Sequence, residues 1–170
     1  MNLMRGIGIE KVTVNIGAGK EPAVLEKGIS LIKNLVGISP VKTFTNKRIP
    51  TWGLRPGLPI GCKLTLRNEK AQDILKRTLE AHGRRLSEEN FDNEGNVAFG
   101  IKEYIDIPGA KYDPSIGMMG LQICITLGRP GFRIKRRAYM TRKIPRRHRI
   151  TKQESIDFMK KNFDVAIGEE

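Results

Sequence analysis

Two short segments alternate apolar and polar side chains without a break, and that alternation restricts the fold of this chain more than any other feature. Over residues 9–16, Val12, Val14 and Ile16 share one face while Lys11, Thr13 and Asn15 share the other. Over 61–67, Cys62, Leu64 and Leu66 alternate with Lys63, Thr65 and Arg67. A period of two marks a strand with one face in a core and one in water, so the sheet built from these strands is covered on one side only. Each strand leads into a segment of helical period. A turn through Gly17 and Gly19 precedes a helix over 22–36, with Pro22 in its first turn, Leu25, Ile29, Ile32 and Val36 on one side, and Gly37 as its stop. A second helix over 69–82 carries Ile74, Leu75 and Leu79 and closes at Gly83.

The remaining elements follow from the same signals. Strands are expected over 41–45, 97–105 and 121–127, with turn chemistry at Asp92-Asn-Glu-Gly-Asn96 and a glycine-rich turn over 114–120. Thr151-Lys-Gln-Glu154 has capping-box spacing and opens a third helix with Ile156, Met159 and Phe163 inward. Strands and helices are mixed with no internal repeat. The expectation is an α+β fold: an antiparallel sheet with helices packed on one face, in the manner of an RRM- or ferredoxin-like sandwich. The 170 residues suit a single unit with an extended loop over 46–60, a basic loop over 129–150, and a C-terminal helix and tail over 151–170.

Charge is segregated along this framework. The formal net charge is +13, from 31 Lys and Arg against 18 Asp and Glu. Six cations and no acid lie between Ser39 and Arg67, and eleven cations and no acid lie between Arg129 and Lys152. Without those seventeen, fourteen cations face eighteen acids and the rest of the chain carries −4. An ordinary solvated surface intersperses both signs. Two segments of one sign repel themselves unless an anionic partner neutralises them, and a polyphosphate backbone does so while releasing counterions. The expected partner is nucleic acid, with Lys42, Lys47, Arg48, Lys63 and Arg67 from the first segment and Arg133, Lys135, Arg136, Arg137, Arg146, Arg147 and Arg149 from the second as candidate phosphate contacts.

Other chemistry finds little support. No run of 18 uncharged apolar residues exists and the start of the chain lacks an apolar signal core, so no membrane association and an intracellular, reduced setting are expected. Gly17-Ala-Gly19 resembles the opening of a nucleotide-binding loop, but Pro22 stands where the third glycine would fall. Cys62, His82, Cys124 and His148 lack metal-ligand spacing, which predicts no metal and no cofactor; both cysteines read as small core residues and His82 as a helix-end residue. No nucleophile–base pair or carboxylate cluster stands out, and the chain is expected not to be an enzyme.

Four runs carry a resemblance to a known family: Lys11-Val-Thr-Val-Asn-Ile-Gly-Ala-Gly19, Pro40-Val-Lys-Thr43, Gly53-Leu-Arg-Pro-Gly-Leu-Pro-Ile-Gly-Cys-Lys-Leu-Thr-Leu-Arg67 and Phe99-Gly-Ile-Lys-Glu103. Together they closely resemble the large-subunit ribosomal protein five family, the universal 5S-rRNA-binding proteins. The likeness runs in order over 7–127, and His148-Arg-Ile-Thr-Lys-Gln-Glu154 is similar to the archaeal and eukaryotic form. The bacterial form lacks the segment matching 131–150. The resemblance implies a sheet surface docked on a loop of 5S rRNA, attachment of that RNA to the central protuberance of the large subunit beside large-subunit rRNA and other protuberance proteins, and a place in the cytoplasmic ribosome. It implies 5S contacts at Asn15, Thr43, Lys47 and Thr65. It also implies a loop facing P-site tRNA, with Thr51, Trp52, Gly53, Leu54, Arg55 and Pro56 as candidates, and a bridge to small-subunit ribosomal protein thirteen. From charge alone, a general DNA- or RNA-binding chaperone without 5S specificity is the alternative.

Overall fold

The computed structural model describes residues 2–168; the last two residues of the expected tail, 169–170, lie outside the described residues. The main strands are β1 (Gly8–Gly17), β2 (Val41–Phe44), β3 (Pro59–Leu66), β5 (Asn96–Ile101) and β6 (Leu121–Gly128). They form one antiparallel sheet in the order β2-β3-β1-β6-β5. Helices α1 (Pro22–Val36) and α2 (Asn68–Ala81) pack beneath β1 and β3. Beyond α2, the two-residue strand β4 (Arg85–Leu86) pairs in parallel with β7 (Ala166–Ile167), which follows helix α3 (Lys152–Phe163).

Register explains the core. Leu64 lies opposite Val14, Val14 opposite Ile123, and Ile123 opposite Phe99; the next row is Leu66, Val12, Ile125 and Val97. All eight are buried. Because paired residues share a face, one strand's alternation fixes the row for its neighbours. Helix α1 approaches closely at Gly28, where a Cβ would stand 3.2 Å from Ile16 and 3.3 Å from Cys62, and it ends at Gly37 with φ +76. Within α1 the buried stripe is Leu25, Gly28, Leu31, Ile32 and Leu35, so Ile29 and Val36 sit at its edges.

Three sequence expectations need correction, and one pairing was not expected. Strand β5 stops at Ile101, four residues early, because the chain drops Tyr104 and Ile107 into the core through a 3-10 turn over Tyr104–Asp106. The Tyr104 hydroxyl accepts the Asp113 N–H at 3.0 Å, which satisfies its buried oxygen. Strand β3 begins at Pro59, a position where the missing N–H is tolerated. Cys124 is exposed, because Leu121, Ile123, Ile125 and Leu127 occupy the core side of β6 and leave it on the other. Cys62 is buried as expected, and burial pushes its thiol pKa up. The β4–β7 pairing has no counterpart among the expected elements; two residues are too short for a periodic signal.

The turn before β5 has little room for change. Gly95 has φ +80, and a Cβ there would lie 2.6 Å from the Ile150 side chain. Gly95→Ala combines a disfavoured backbone with a clash and should cost about 2 kcal/mol, read as a lower urea midpoint at unchanged m-value. An unshifted midpoint would mean that Ile150 yields freely.

Candidate nucleic-acid interface

The face of the sheet away from α1 and α2 is a lattice of small and polar side chains. One row runs Val41, Lys63, Asn15, Gln122 and Gly100 across all five strands. Beside it lie Thr65, Thr13, Cys124 and Ala98, and on the other side Thr43, Gly61 and Gly17. The Asn15 amide donates to the Gln122 carbonyl oxygen at 3.2 Å, which orients both side chains. A Cβ at Gly61 would meet the Ile16 carbonyl at 2.6 Å and the Thr43 hydroxyl at 3.1 Å, so glycine keeps Thr43 close against β3. Asn15, Thr43, Lys63 and Thr65 therefore share one surface. Lys42 does not join it: it pairs with Cys62 and projects from the helix side of the sheet edge. Gln122 and Thr13 belong to the same surface and were not singled out from sequence; the register of β6 was needed to place Gln122.

The two basic segments flank this surface at opposite ends of β1, a strand about 33 Å long at 3.3 Å per residue. Residues 45–58 make a folded projection at the Gly17 end. Ile49 and Leu54 bridge through two 3.0 Å backbone bonds around a 3-10 turn over Pro50–Trp52, with Gly53 at φ +67. At its base the Thr45 N–H donates to Leu58 and the Thr45 hydroxyl to the Lys47 carbonyl, both at 3.0 Å. Thr51, Trp52, Gly53, Arg55 and Pro56 are exposed, and Trp52 is 68% accessible at the tip. Leu54 is buried and anchors the projection, so it does not face a partner. Lys47 and Arg48 are exposed on the same projection. Lys20 lies beside it, its aliphatic stem 3.8 Å from where a Gly53 Cβ would stand; Lys20 also went unselected from sequence.

The second segment, 129–150, forms an ordered lobe at the Gly8 end of β1, the end where Arg67 follows β3. Its cations fall into two groups. Arg129 is buried, donating to the Glu154 carboxylate at 2.6 Å and to the carbonyls of His148 and Arg149. Arg136 grips the carboxylate of Glu10, which a β-bulge between Ile9 and Lys11 aims toward it, and the pairing raises the Arg136 pKa. Arg149 meets Glu94 at 3.4 Å and the Ile144 carbonyl at 3.3 Å, and Arg137 donates to the Met140 carbonyl. In contrast, Arg133, Lys135, Arg142, Lys143, Arg146 and Arg147 are exposed with no carboxylate within ion-pair distance among the described residues. The candidates Arg136 and Arg149 thus hold the lobe together, and Arg133, Lys135, Arg146 and Arg147 carry charge that is free to meet an anion. Among the described residues no cluster of three or more His, Cys, Asp or Glu could hold a metal ion. No helix is long and apolar enough to cross a membrane.

A one-sided antiparallel sheet whose wet face carries amide, hydroxyl and ammonium groups between two cationic lobes is the build of a nucleic-acid-binding protein. Comparison with known proteins narrows the class. The ribosomal protein L5 profile matches residues 2–55, and the profile for the C-terminus of the same ribosomal family matches residues 59–158. The large ribosomal subunit protein uL5 of Sulfolobus acidocaldarius is 49% identical over 168 residues, covering 99% of this chain and 94% of that one. Those of Sulfurisphaera tokodaii and Methanosphaera stadtmanae are 47% and 46% identical, covering 99% and 98% of this chain and 96% and 99% of theirs. The chain belongs to the ribosomal protein L5 family. It is a structural ribosomal protein and not an enzyme.

Proposed function

We propose that this protein, a component of the large ribosomal subunit in the cytoplasmic ribosome, binds 5S rRNA through the exposed face of β1, β2 and β3 and fixes it to the central protuberance. The observation that carries the reading is the adjacency of Asn15, Thr43, Lys63 and Thr65, three of which match family positions for 5S contact, on one rigid surface beside the 45–58 projection. No chemistry beyond positioning is required. The sheet supplies a fixed pattern of donors and acceptors for ribose and base edges, while Lys47, Arg48, Lys63 and Arg67 neutralise phosphates. The exposed tip with Trp52 and Arg55 extends toward P-site tRNA and the small-subunit ribosomal protein thirteen. The lobe over 129–150 lies on large-subunit rRNA through Arg133, Lys135, Arg146 and Arg147.

Competition filter binding at about 150 mM salt tests the reading. 5S rRNA should outcompete an unrelated duplex by about 10³-fold or more, and Thr65→Val should lower 5S affinity by about fivefold, the worth of one hydrogen bond. Equal affinities for both nucleic acids would point instead to a general chaperone. Unchanged affinity in the Thr65 variant would leave that hydroxyl as a solvated position on a wet face.

A further inference from the structure

We propose that the cavity between the basic lobe and the β5–β6 end of the sheet is a pocket for one unstacked guanine nucleotide, an RNA contact separate from the β1–β3 face. The cavity measures about 480 Å³, within the roughly 300–1,000 Å³ typical of small-molecule sites. It lies at the opposite end of the wet face from Asn15 and Lys63. The proposal rests on the reading of this chain as an RNA binder, and not on which RNA it prefers.

Its lining supplies the three things a nucleotide needs. Asn96 and Thr126, directly opposite each other on β5 and β6, bring a side-chain carbonyl oxygen and a hydroxyl, the Asn96 amide nitrogen being held by Asp92 at 3.1 Å. Phe132 and Ile150 add apolar surface for the flat faces of a base. Arg142 and Lys143 add cations with no carboxylate partner among the described residues, suited to the phosphate. These groups come from separate parts of the chain, and the pocket is preformed. Gly95 lies against Ile150 so closely that no Cβ fits, which locks the turn bearing Glu94 and Asn96 onto the lobe.

The carboxylates decide the base. Glu10 is neutralised by its ion pair with Arg136, which donates a hydrogen bond to Oε2, while Oε1 makes no hydrogen bond among the described residues. Glu94 meets only Arg149, through one 3.4 Å contact to Oε1; Oε1 keeps a second lone pair and Oε2 has no partner among the described residues, so both oxygens can still accept. A carboxylate only accepts hydrogen bonds. Guanine alone offers two adjacent N–H donors on its Watson–Crick edge, N1–H and the 2-amino group, whereas adenine and cytosine offer an amino group beside an acceptor. RNA presents such edges in loops and bulges, where bases splay out of the stack.

Titration of the full-length ¹⁵N-labelled protein with guanosine 5′-monophosphate, adenosine 5′-monophosphate and inorganic phosphate, followed by amide NMR at about 150 mM salt, tests this directly. The guanine nucleotide should shift the Asn96, Thr126 and Ile150 amides and bind about tenfold more tightly than the adenine nucleotide, the worth of one bidentate pair. Glu94→Gln, at an exposed turn, should abolish that preference, and Arg142→Ala should weaken both nucleotides alike. Equal binding of the two nucleotides, a match by inorganic phosphate alone, or a preference that survives Glu94→Gln overturns the proposal. No rRNA is present in this measurement, so its failure leaves the 5S competition result standing.

Discussion

Glu154→Gln is expected to lower the unfolding free energy by about 2–3 kcal/mol, more than the loss from Arg129→Met. The Arg129 side chain is 3% exposed and Glu154 is 40% exposed. Removing one partner of a buried pair costs about 3–5 kcal/mol because the other charge is stranded, and water reaching Glu154 reduces that cost. Glutamine can still accept the Thr151 N–H that closes the capping box, so the substitution isolates the charge. Arg129→Met removes the stranded cation with the pair and keeps most of the stem's packing, which makes it the milder change. Burial would raise the Glu154 pKa, but the Thr151 amide and the Arg129 guanidinium outweigh it and hold the carboxyl below its ordinary value. Its contribution is therefore complete above its unfolded pKa, roughly 4.3, and is lost as pH falls through the lower folded value. Wild type and Glu154→Gln should converge in stability toward acid. Urea titrations of the three proteins at neutral pH and near pH 3 check both points, and an Arg129 variant as damaged as the Glu154 variant would sink the account.

Replacing Arg146 and Arg147 together with alanine should weaken rRNA binding by about 30- to 150-fold at low salt, as expected for two lost charge-assisted contacts. The log–log salt dependence should become shallower by about 1.4–1.8. The paired substitution Arg136→Ala with Arg149→Ala is the contrast. Those side chains already face Glu10 and Glu94, so their loss should loosen the lobe, visible as increased amide exchange over 129–150, while moving the slope by less than half as much. Nitrocellulose binding of large-subunit rRNA across a salt series distinguishes the two pairs. Equal slopes for both variants would show that RNA displaces the carboxylates and uses all four arginines.

Much of this molecule is written in local pattern. Alternation at Val12, Val14 and Ile16 assigns β1 and its buried face, Gly37 ends α1, and Thr151 with Glu154 starts α3 with both capping bonds present. The errors also have local causes. The apolar run around Cys124 hides the fact that a period-two strand must put one of three neighbours outside. Leu54 lies in a Pro- and Gly-rich stretch that reads as loop, and only the Ile49 bridge turns its side chain inward.

Periodicity, caps and charge segregation depend on residues within a few positions of each other, so the amino-acid order alone determined the strands of the main sheet, though not where β5 ends or that β4 pairs with β7, together with the three helices, the wet face and the presence of two cationic segments. Which cations remain available depends on partners far away in sequence. Glu10 reaches Arg136 across 126 positions and Glu94 reaches Arg149 across 55. An ion pair needs its groups within a few ångströms, and only the bulge in β1 and the docking of the lobe onto the Gly95 turn bring them that close. The tertiary structure therefore divided a uniformly basic stretch into arginines that hold the lobe in place and arginines whose charge is left free to meet an anion.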